Sequence, residues 1–206
     1  MFSIRPSMLV FASAVLAVSA WSQGARSDPP YDPVVGDLKP RAAEAGYAMC
    51  FGDESGAMCP TGNQGAPGHG CENSLGLGGG LLWAEGIARI SQDNIVFQVA
   101  NVPRRSTVFF LQATDSRNGG LGVPFGDGLM CMGGSVMKLG AVDPLGGHAL
   151  FPSQDQVSCF ASISALGRIP PYGGERYYQA LYRDHNEFGT AAEINLTNAW
   201  AIQWIP

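Results

Sequence analysis

Short segments rich in β-branched and aromatic residues recur along most of this chain, and pairs of glycines separate many of them. The eight segments cover residues 81–90, 94–100, 107–113, 135–142, 148–151, 157–164, 176–184 and 193–205. Many short strands joined by glycine-rich turns, with no long helical pattern, are typical of two packed antiparallel sheets. The sequence therefore predicts an all-β chain, an antiparallel β-sandwich of about eight strands.

The last segment, EINLTNAWAIQWI, shows the clearest alternation of apolar and polar residues. A period of two predicts that one core-facing side of this strand carries Ile194, Leu196, Trp200, Ile202 and Trp204. Asn198 interrupts the apolar stripe, which indicates a bulge or a buried hydrogen bond. We expect this strand to be an integral part of the core, so that deletion of residues 193–206 would prevent soluble folding.

The N-terminal residues fit a secretory signal peptide. An apolar run follows Arg5, and Val18-Ser19-Ala20 satisfies the small-residue rule, so residues 1–20 are predicted to be removed. Residues 21–48 are predicted to be an extended or flexible lead-in, and a short helix-compatible stretch lies at 41–49. Residues 49–206 then form the β-sandwich domain. The protein is expected to be secreted or at the cell surface, with no membrane span after signal removal.

The charge balance argues against nucleic-acid binding. The chain has 12 Lys and Arg against 17 Asp and Glu, and loss of Arg5 leaves 11 against 17, a net charge of −6. Nucleic-acid binding needs clustered Lys and Arg side chains to neutralise phosphates. The only basic doublet, Arg104-Arg105, follows Val102-Pro103 and is interpreted as a solvated turn rather than a binding patch.

Residues 50–74, CFGDESGAMCPTGNQGAPGHGCENS, contain three of the five cysteines. Structural zinc sites use cysteines two to four residues apart, whereas the gaps here are eight and eleven residues. The lack of a close pair also disfavours a redox dithiol. Calcium stays open as an alternative, because Asp53, Glu54 and Asp127 offer oxygen ligands on glycine-rich loops. The spacing of an EF-hand is nevertheless absent.

Disulfides are the favoured interpretation of this run, because an exported chain meets an oxidising environment. Cys59–Cys71 would close a small loop, and Cys50–Cys131 would tie the loop region to the FGDGLMC segment. Cys159, on an apolar β segment, would remain a buried free thiol. The sequence does not fix this connectivity. With these bridges, the predicted fold is a β-sandwich with a disulfide-stapled N-terminal loop.

Several consecutive motifs resemble a family of exported bacterial domains without established function: the 50–74 run, PFGDGLMCMGGSVMKLG, RYYQALYRD and INLTNAWAIQW. The resemblance covers residues 49–206 and implies export and a β fold, but no activity. The family pattern has further cysteines at Thr61 and after the aromatic at Phe188, where this chain has Gly189. Their joint absence is consistent with one lost bridge, and Cys159 lies outside the pattern.

Three functions are compatible with these features. The first is a non-catalytic binding or structural module of the cell envelope or extracellular space, whose partner is an envelope protein or a glycan. The second is a carbohydrate-binding module, with Tyr172 and Trp83 as the aromatic ligand-binding residues. The third is a secreted hydrolase, for which Asp184-His185 lies at a strand end but no G-x-S-x-G motif is present. No cofactor is predicted apart from the calcium alternative.

Overall fold

The computed structural model describes residues 45–153, 162–185 and 193–206. Its strands are β1 (Tyr47–Met49), β2 (Leu81–Glu85), β3 (Val96–Ala100), β4 (Val108–Ser116), β5 (Val123–Phe125), β6 (Gly128–Met130), β7 (Met132–Val142), β8 (Ala149–Phe151), β9 (Gly174–Arg183) and β10 (Ile194–Trp204). One short α-helix, α1 (Ile163–Leu166), and two 3-10 turns, Ile90–Gln92 and Asn118–Gly120, complete the described elements.

Two antiparallel sheets form the sandwich. The larger sheet has the order β1-β10-β9-β4-β7, the smaller one has the order β2-β3-β8, and β5 and β6 form a separate hairpin. Every paired strand is antiparallel to its neighbour. The predicted all-β antiparallel sandwich is therefore confirmed. In the described part of the chain, no helix is long and apolar enough to cross a bilayer.

Aromatic side chains from both sheets meet in the core. The ring of Phe97 on β3 lies 4.6 Å from that of Tyr178 on β9. Phe110 on β4 stacks 4.9 Å from Phe151 on β8. Trp204 is buried beside them and donates from Nε1 to the Tyr178 hydroxyl at 2.7 Å. Buried aromatic area of this kind dominates the stability of a core, and Trp204 also satisfies its one polar group.

A bulge divides β10 and inverts its faces. Leu196 pairs with Leu181, but Ala199 pairs with Gln179, so one extra residue is inserted between them. Because Leu181 and Gln179 lie on the same face of β9, Leu196 shares the outer face with Ala199 instead of the core face with Trp200. The expectation of one continuous apolar face was therefore wrong at Ile194 and Leu196, which both precede the bulge, while the bulge predicted at Asn198 is confirmed.

Asn198 connects the two sheets from within this bulge. Its side-chain Oδ1 accepts from the Leu82 backbone N–H at 2.7 Å, and its Nδ2 donates to the Leu82 carbonyl at 3.0 Å. Leu82 lies on β2, an edge strand of the smaller sheet, and both residues are fully buried. The side-chain amide of Asn198 thus pairs with the N–H and the carbonyl of Leu82, as the backbone of a neighbouring strand would, and without it these two groups would be unpaired.

Three local predictions differ from the structure. Residues 47–49 form β1, which pairs with β10, rather than the end of a short helix. The hairpin of β5 and β6 was not predicted, because its strands of three residues are too short to show a period. Residues 163–166 form α1 instead of the end of a strand, because Ser162 caps a helical turn by accepting from the Ala165 N–H. Residues 157–161 of that predicted strand lie outside the described residues.

Both predicted disulfides are present. Cys50–Cys131 has a Cα separation of 6.1 Å, and Cys59–Cys71 has one of 5.9 Å. The loop they enclose packs closely on β10, because a Cβ placed on Gly70 would lie 2.2 Å from the Leu196 carbonyl oxygen. The stapled loop is therefore part of the folded body. The predicted signal peptide, most of the lead-in and Cys159 lie outside the described residues.

Candidate functional site

Loops at one end of the sandwich enclose a cleft of about 580 Å³. We name it the cationic cleft, and its polar lining is Ser74, Asn101, Arg104, Arg105, His148 and His185. This volume lies within the range of small-ligand sites, which is roughly 300–1,000 Å³. Each lining segment comes from a different part of the chain, so the cleft exists only in the folded protein.

The two arginines occupy the centre of a turn between β3 and β4. The Ser106 N–H donates to the Pro103 carbonyl at 3.2 Å, which closes the turn around Arg104 and Arg105. Val102, just before the turn, is fully buried and donates its N–H to the Gly147 carbonyl at 3.2 Å. The predicted solvated turn is present, but it also directs both exposed arginines to the cleft.

His148 reaches the cleft from a tight hairpin. Leu145 and His148 exchange both backbone hydrogen bonds, at 2.8 and 3.1 Å, across Gly146-Gly147. These glycines have φ values of 66° and 90°, and two successive positive φ values are what a two-residue hairpin turn of the primed type requires. The glycine pair therefore fixes the position of His148 next to the arginine turn.

Asn73 ties the opposite wall of the cleft to the sandwich. Its Nδ2 donates to the Asn101 carbonyl at 2.7 Å and to the buried Tyr182 hydroxyl at 3.0 Å. The neighbouring Ser74 donates both its backbone N–H and its hydroxyl to the Asp184 carboxylate. These bonds hold the 72–79 loop against the end of β9, where exposed His185 follows Asp184.

Asp184 is a buried carboxylate beneath the cleft, with only 1% of its surface exposed. Burial raises the pKa of this carboxyl above its usual range, and the hydrogen bonds from Ser74 and Asn195 oppose that shift. The charge of Asp127 raises the pKa further. Asp184 thus orients Ser74 from below, and it is not part of the cleft lining.

The described lining carries two permanently charged guanidinium groups and no carboxylate. Arg104 and Arg105 face the cleft together with His148 and His185, and no Asp or Glu of the described residues lines it. The chain as a whole has a net charge of −5, so this local balance is opposite in sign to that of the protein. A concave surface lined by one sign of charge concentrates the field and attracts ligands of the opposite sign.

The geometry of Ser74 does not match an activated nucleophile. A serine nucleophile needs a base such as histidine within hydrogen-bond reach of its hydroxyl. Ser74 instead donates directly to Asp184, and among the described residues no histidine ring nitrogen bonds to it. Ser74 is therefore held from below by the buried Asp184 carboxylate.

The two aromatic residues predicted to bind ligand lie outside this cleft. Tyr172 is 81% exposed on the turn in which Gly173 N–H donates to the Pro170 carbonyl at 2.8 Å. Trp83 is half-buried on β2 and lines a second, apolar groove of about 450 Å³ beside Phe51 and Trp200. Tyr172 lines neither the cationic cleft nor the groove beside Trp83, so the structure does not bring Tyr172 and Trp83 together in either cavity.

The three carboxylates proposed for calcium do not form a metal site. No group of three or more His, Cys, Asp or Glu side chains within residues 45–153, 162–185 and 193–206 is placed to hold a metal ion. Asp53 accepts from the N–H groups of Ser55 and Gly68, at 3.0 and 2.8 Å. Partial burial raises the pKa of Asp53, but the hydrogen bond from the Ser55 hydroxyl and those from the two N–H groups outweigh it and hold the pKa below its usual value. Glu54 is exposed and Asp127 is fully buried.

Sequence reasoning missed the cationic cleft because its residues are far apart in the chain. Arg104, His148 and His185 belong to three loops, and none has a partner at a recognisable motif spacing. The Gly146-Gly147 turn was visible in the sequence, but not what it positions. No family model, curated protein or solved structure matches this chain, so the resemblance stated from the motifs remains a prediction.

Proposed function

We propose that this chain is an exported, non-catalytic binding module that holds an anionic group of its ligand in the cationic cleft. The observation that carries the proposal is the convergence of Arg104, Arg105, His148 and His185 on one concave surface that no carboxylate of the described residues lines. The ligand is expected to carry a carboxylate or a phosphate, as many components of the cell envelope and extracellular space do.

Arginine suits this role because its planar guanidinium donates two parallel hydrogen bonds to a carboxylate or phosphate. Both cleft arginines are exposed, and neither forms a hydrogen bond or ion pair within the described residues. Their donors are therefore available to a ligand. Each charge-assisted hydrogen bond contributes about 1.5–3 kcal/mol, so the pair would dominate the affinity for a small anion.

Two disulfides fit a protein that works outside the reducing cytoplasm. The 72–79 loop, which forms one wall of the cleft, begins directly after Cys71. The bridge to Cys59 therefore also restrains one side of the proposed site. Binding without catalysis is favoured over hydrolysis because Ser74 is paired with Asp184 and not with a histidine.

Calorimetric titration of the oxidised protein tests the proposal. Inorganic phosphate and galacturonate should bind, whereas uncharged galactose should not. Replacement of both Arg104 and Arg105 by alanine should weaken anion binding by about tenfold or more, from the strength of charged hydrogen bonds. Arg117→Ala is the matched control, because Arg117 is exposed but does not line the cleft. Binding unchanged in the double variant, or no binding of either anion, would contradict the proposal.

A second candidate function is carbohydrate binding at the groove beside Trp83. The indole Nε1 of Trp83 donates to the Glu85 carboxylate at 3.3 Å, which fixes the orientation of the ring. Phe51 and Trp200 add aromatic surface to the same groove. An oriented indole next to a carboxylate offers both a stacking surface and a hydrogen-bond acceptor for a sugar.

Affinity electrophoresis through neutral polysaccharides separates this candidate from the first. Trp83→Ala should abolish any retardation, while the Arg104→Ala, Arg105→Ala double variant should leave it intact. Tyr172→Ala is the control for an exposed aromatic residue outside the groove. Absence of retardation on every neutral polysaccharide would count against carbohydrate binding at Trp83 and would leave the anion site untouched.

A further inference from the structure

Large apolar side chains stand exposed around the cationic cleft. Leu75 is 39% exposed, Leu77 is 58% exposed and Leu145 is 88% exposed. Leu75 and Leu77 line the cleft directly, and Leu145 immediately precedes Gly146, which also lines it. We name these three residues the leucine rim. Single exposed leucines are ordinary, but three around one charged cleft form an amphipathic surface.

The hairpin places Leu145 on the same side as His148, which lines the cleft. Leu145 and His148 are directly opposite each other in an antiparallel bridge. Residues that are directly opposite in such a bridge project to the same face. Because His148 lines the cleft and the two residues share a face, Leu145 lies beside the cleft, although it does not itself line it. The rim and the cations therefore share one face of the molecule.

We infer that this face binds the surface of an anionic lipid membrane, with the leucine rim entering the interface and the cations meeting lipid phosphates. The inference rests on the proposed function, because it uses the same cationic side chains and names the source of the anion. An anionic bilayer supplies both complements at once, since it presents a plane of negative headgroups above an apolar layer.

A membrane accounts for features that a small soluble anion leaves unexplained. A dissolved phosphate would use Arg104 and Arg105 but would leave the exposed Leu145 in water. Apolar side chains gain free energy when they leave water, and basic residues gain it near anionic headgroups. The rim side chains belong to loops rather than to the sheets, so they can enter the interface without disturbing the core.

Sedimentation with lipid vesicles tests the inference. The oxidised protein should sediment with vesicles of phosphatidylcholine mixed with phosphatidylglycerol, and not with vesicles of phosphatidylcholine alone. Leu145→Ser should lower the apparent affinity by about tenfold or more, from the free energy of burying one leucine. The Arg104→Ala, Arg105→Ala double variant should lower it by a comparable or larger factor, because each basic residue near the surface contributes about fivefold.

Leu121→Ser is the matched control for the rim. Leu121 is 46% exposed, but it lies in the connection between β4 and β5 and does not line the cleft. Its variant should sediment like the unmodified protein. Equal sedimentation of the Leu145→Ser variant and the unmodified protein would overturn the role of the rim. Equal binding to both kinds of vesicle would overturn the role of the cations.

Titration with glycerol phosphate distinguishes this inference from the proposed function. Binding of glycerol phosphate without sedimentation on anionic vesicles would refute membrane docking and leave the anion site standing. If the protein neither bound glycerol phosphate nor sedimented with anionic vesicles, both the membrane inference and the proposed function would be refuted. Sedimentation that depends on Leu145, Arg104 and Arg105 together would support the membrane surface as the ligand, since a soluble anion does not require the leucine.

Discussion

Replacement of Asn198 by alanine tests how the two sheets are joined. The change removes the acceptor for the Leu82 N–H and the donor to the Leu82 carbonyl, now at 2.7 and 3.0 Å. Leu82 is fully buried, so water cannot take the place of the amide without opening the sandwich. The variant should therefore fold to the same structure with a much lower free energy of unfolding.

The size of the effect follows from these two bonds. A buried backbone group left without a partner costs about 1–3 kcal/mol, so two such groups cost about 2–6 kcal/mol. A natural domain has a total stability of about 5–15 kcal/mol, which makes this loss a large fraction of the whole. A loss of about 4 kcal/mol would lower the midpoint of thermal unfolding by about 8–16 °C, at roughly 2–4 °C per kcal/mol.

Urea unfolding followed by tryptophan fluorescence, with both disulfides intact, measures the loss. The midpoint should fall while the slope with urea stays constant, because the same surface is exposed on unfolding. Gln98→Ala is the control, since Gln98 is a half-buried polar residue on the outer face of β3. It should change the stability by less than about 0.5 kcal/mol. An Asn198→Ala variant as stable as the control would refute the assigned role of Asn198.

Two further predictions concern the sulfurs and the buried carboxylate. The double change of Cys59 and Cys71 to serine should lower the free energy of unfolding by about 3 kcal/mol, measured by urea unfolding. Without the bridge, the unfolded chain has the higher entropy of an open loop. In the native unmodified protein iodoacetamide should label none of the four bridged cysteines, and after unfolding without reductant it should label only Cys159; labelling at a bridged cysteine would show that the staple is incomplete. Because the folded-state pKa of Asp184 is raised above its ordinary value of 3.8, its contribution to stability should decline as pH rises through the interval above 3.8. The stability of the unmodified protein relative to the Asp184→Asn variant should therefore decrease from pH 3 to pH 7, and an increase over that range would contradict the shift.

The sandwich could be predicted because its main signals are local. Alternation in the strands and glycine pairs between them are visible within a few residues of sequence. The all-β architecture that they predict is confirmed by the structure. The assignment of faces failed at Ile194 and Leu196, because counting with a period of two assumes an uninterrupted ladder and one inserted residue inverts every side chain beyond it. Asn198 marked the position of the bulge, but its partner Leu82 is distant in sequence and could not be inferred.

The candidate site could be predicted much less well. The cationic cleft is built by loops whose approach depends on the whole topology, for example on the bond from the Val102 N–H to the Gly147 carbonyl. Arg104 and His148 carry no motif in the sequence that relates one to the other. Exposed aromatic residues such as Tyr172 are easy to find, but exposure alone does not create a concave surface. Charge convergence became visible only in three dimensions.

The Gly146-Gly147 hairpin has a consequence for how this scaffold could diversify. Its backbone shape depends on the two glycines and on hydrogen bonds between main-chain groups, so the residues that flank it, Leu145 and His148, contribute little to holding the turn. Both side chains are exposed and can be exchanged at small energetic cost. The surface beside the cleft could therefore change by substitutions at the ends of one hairpin, while selection on folding acts on other residues.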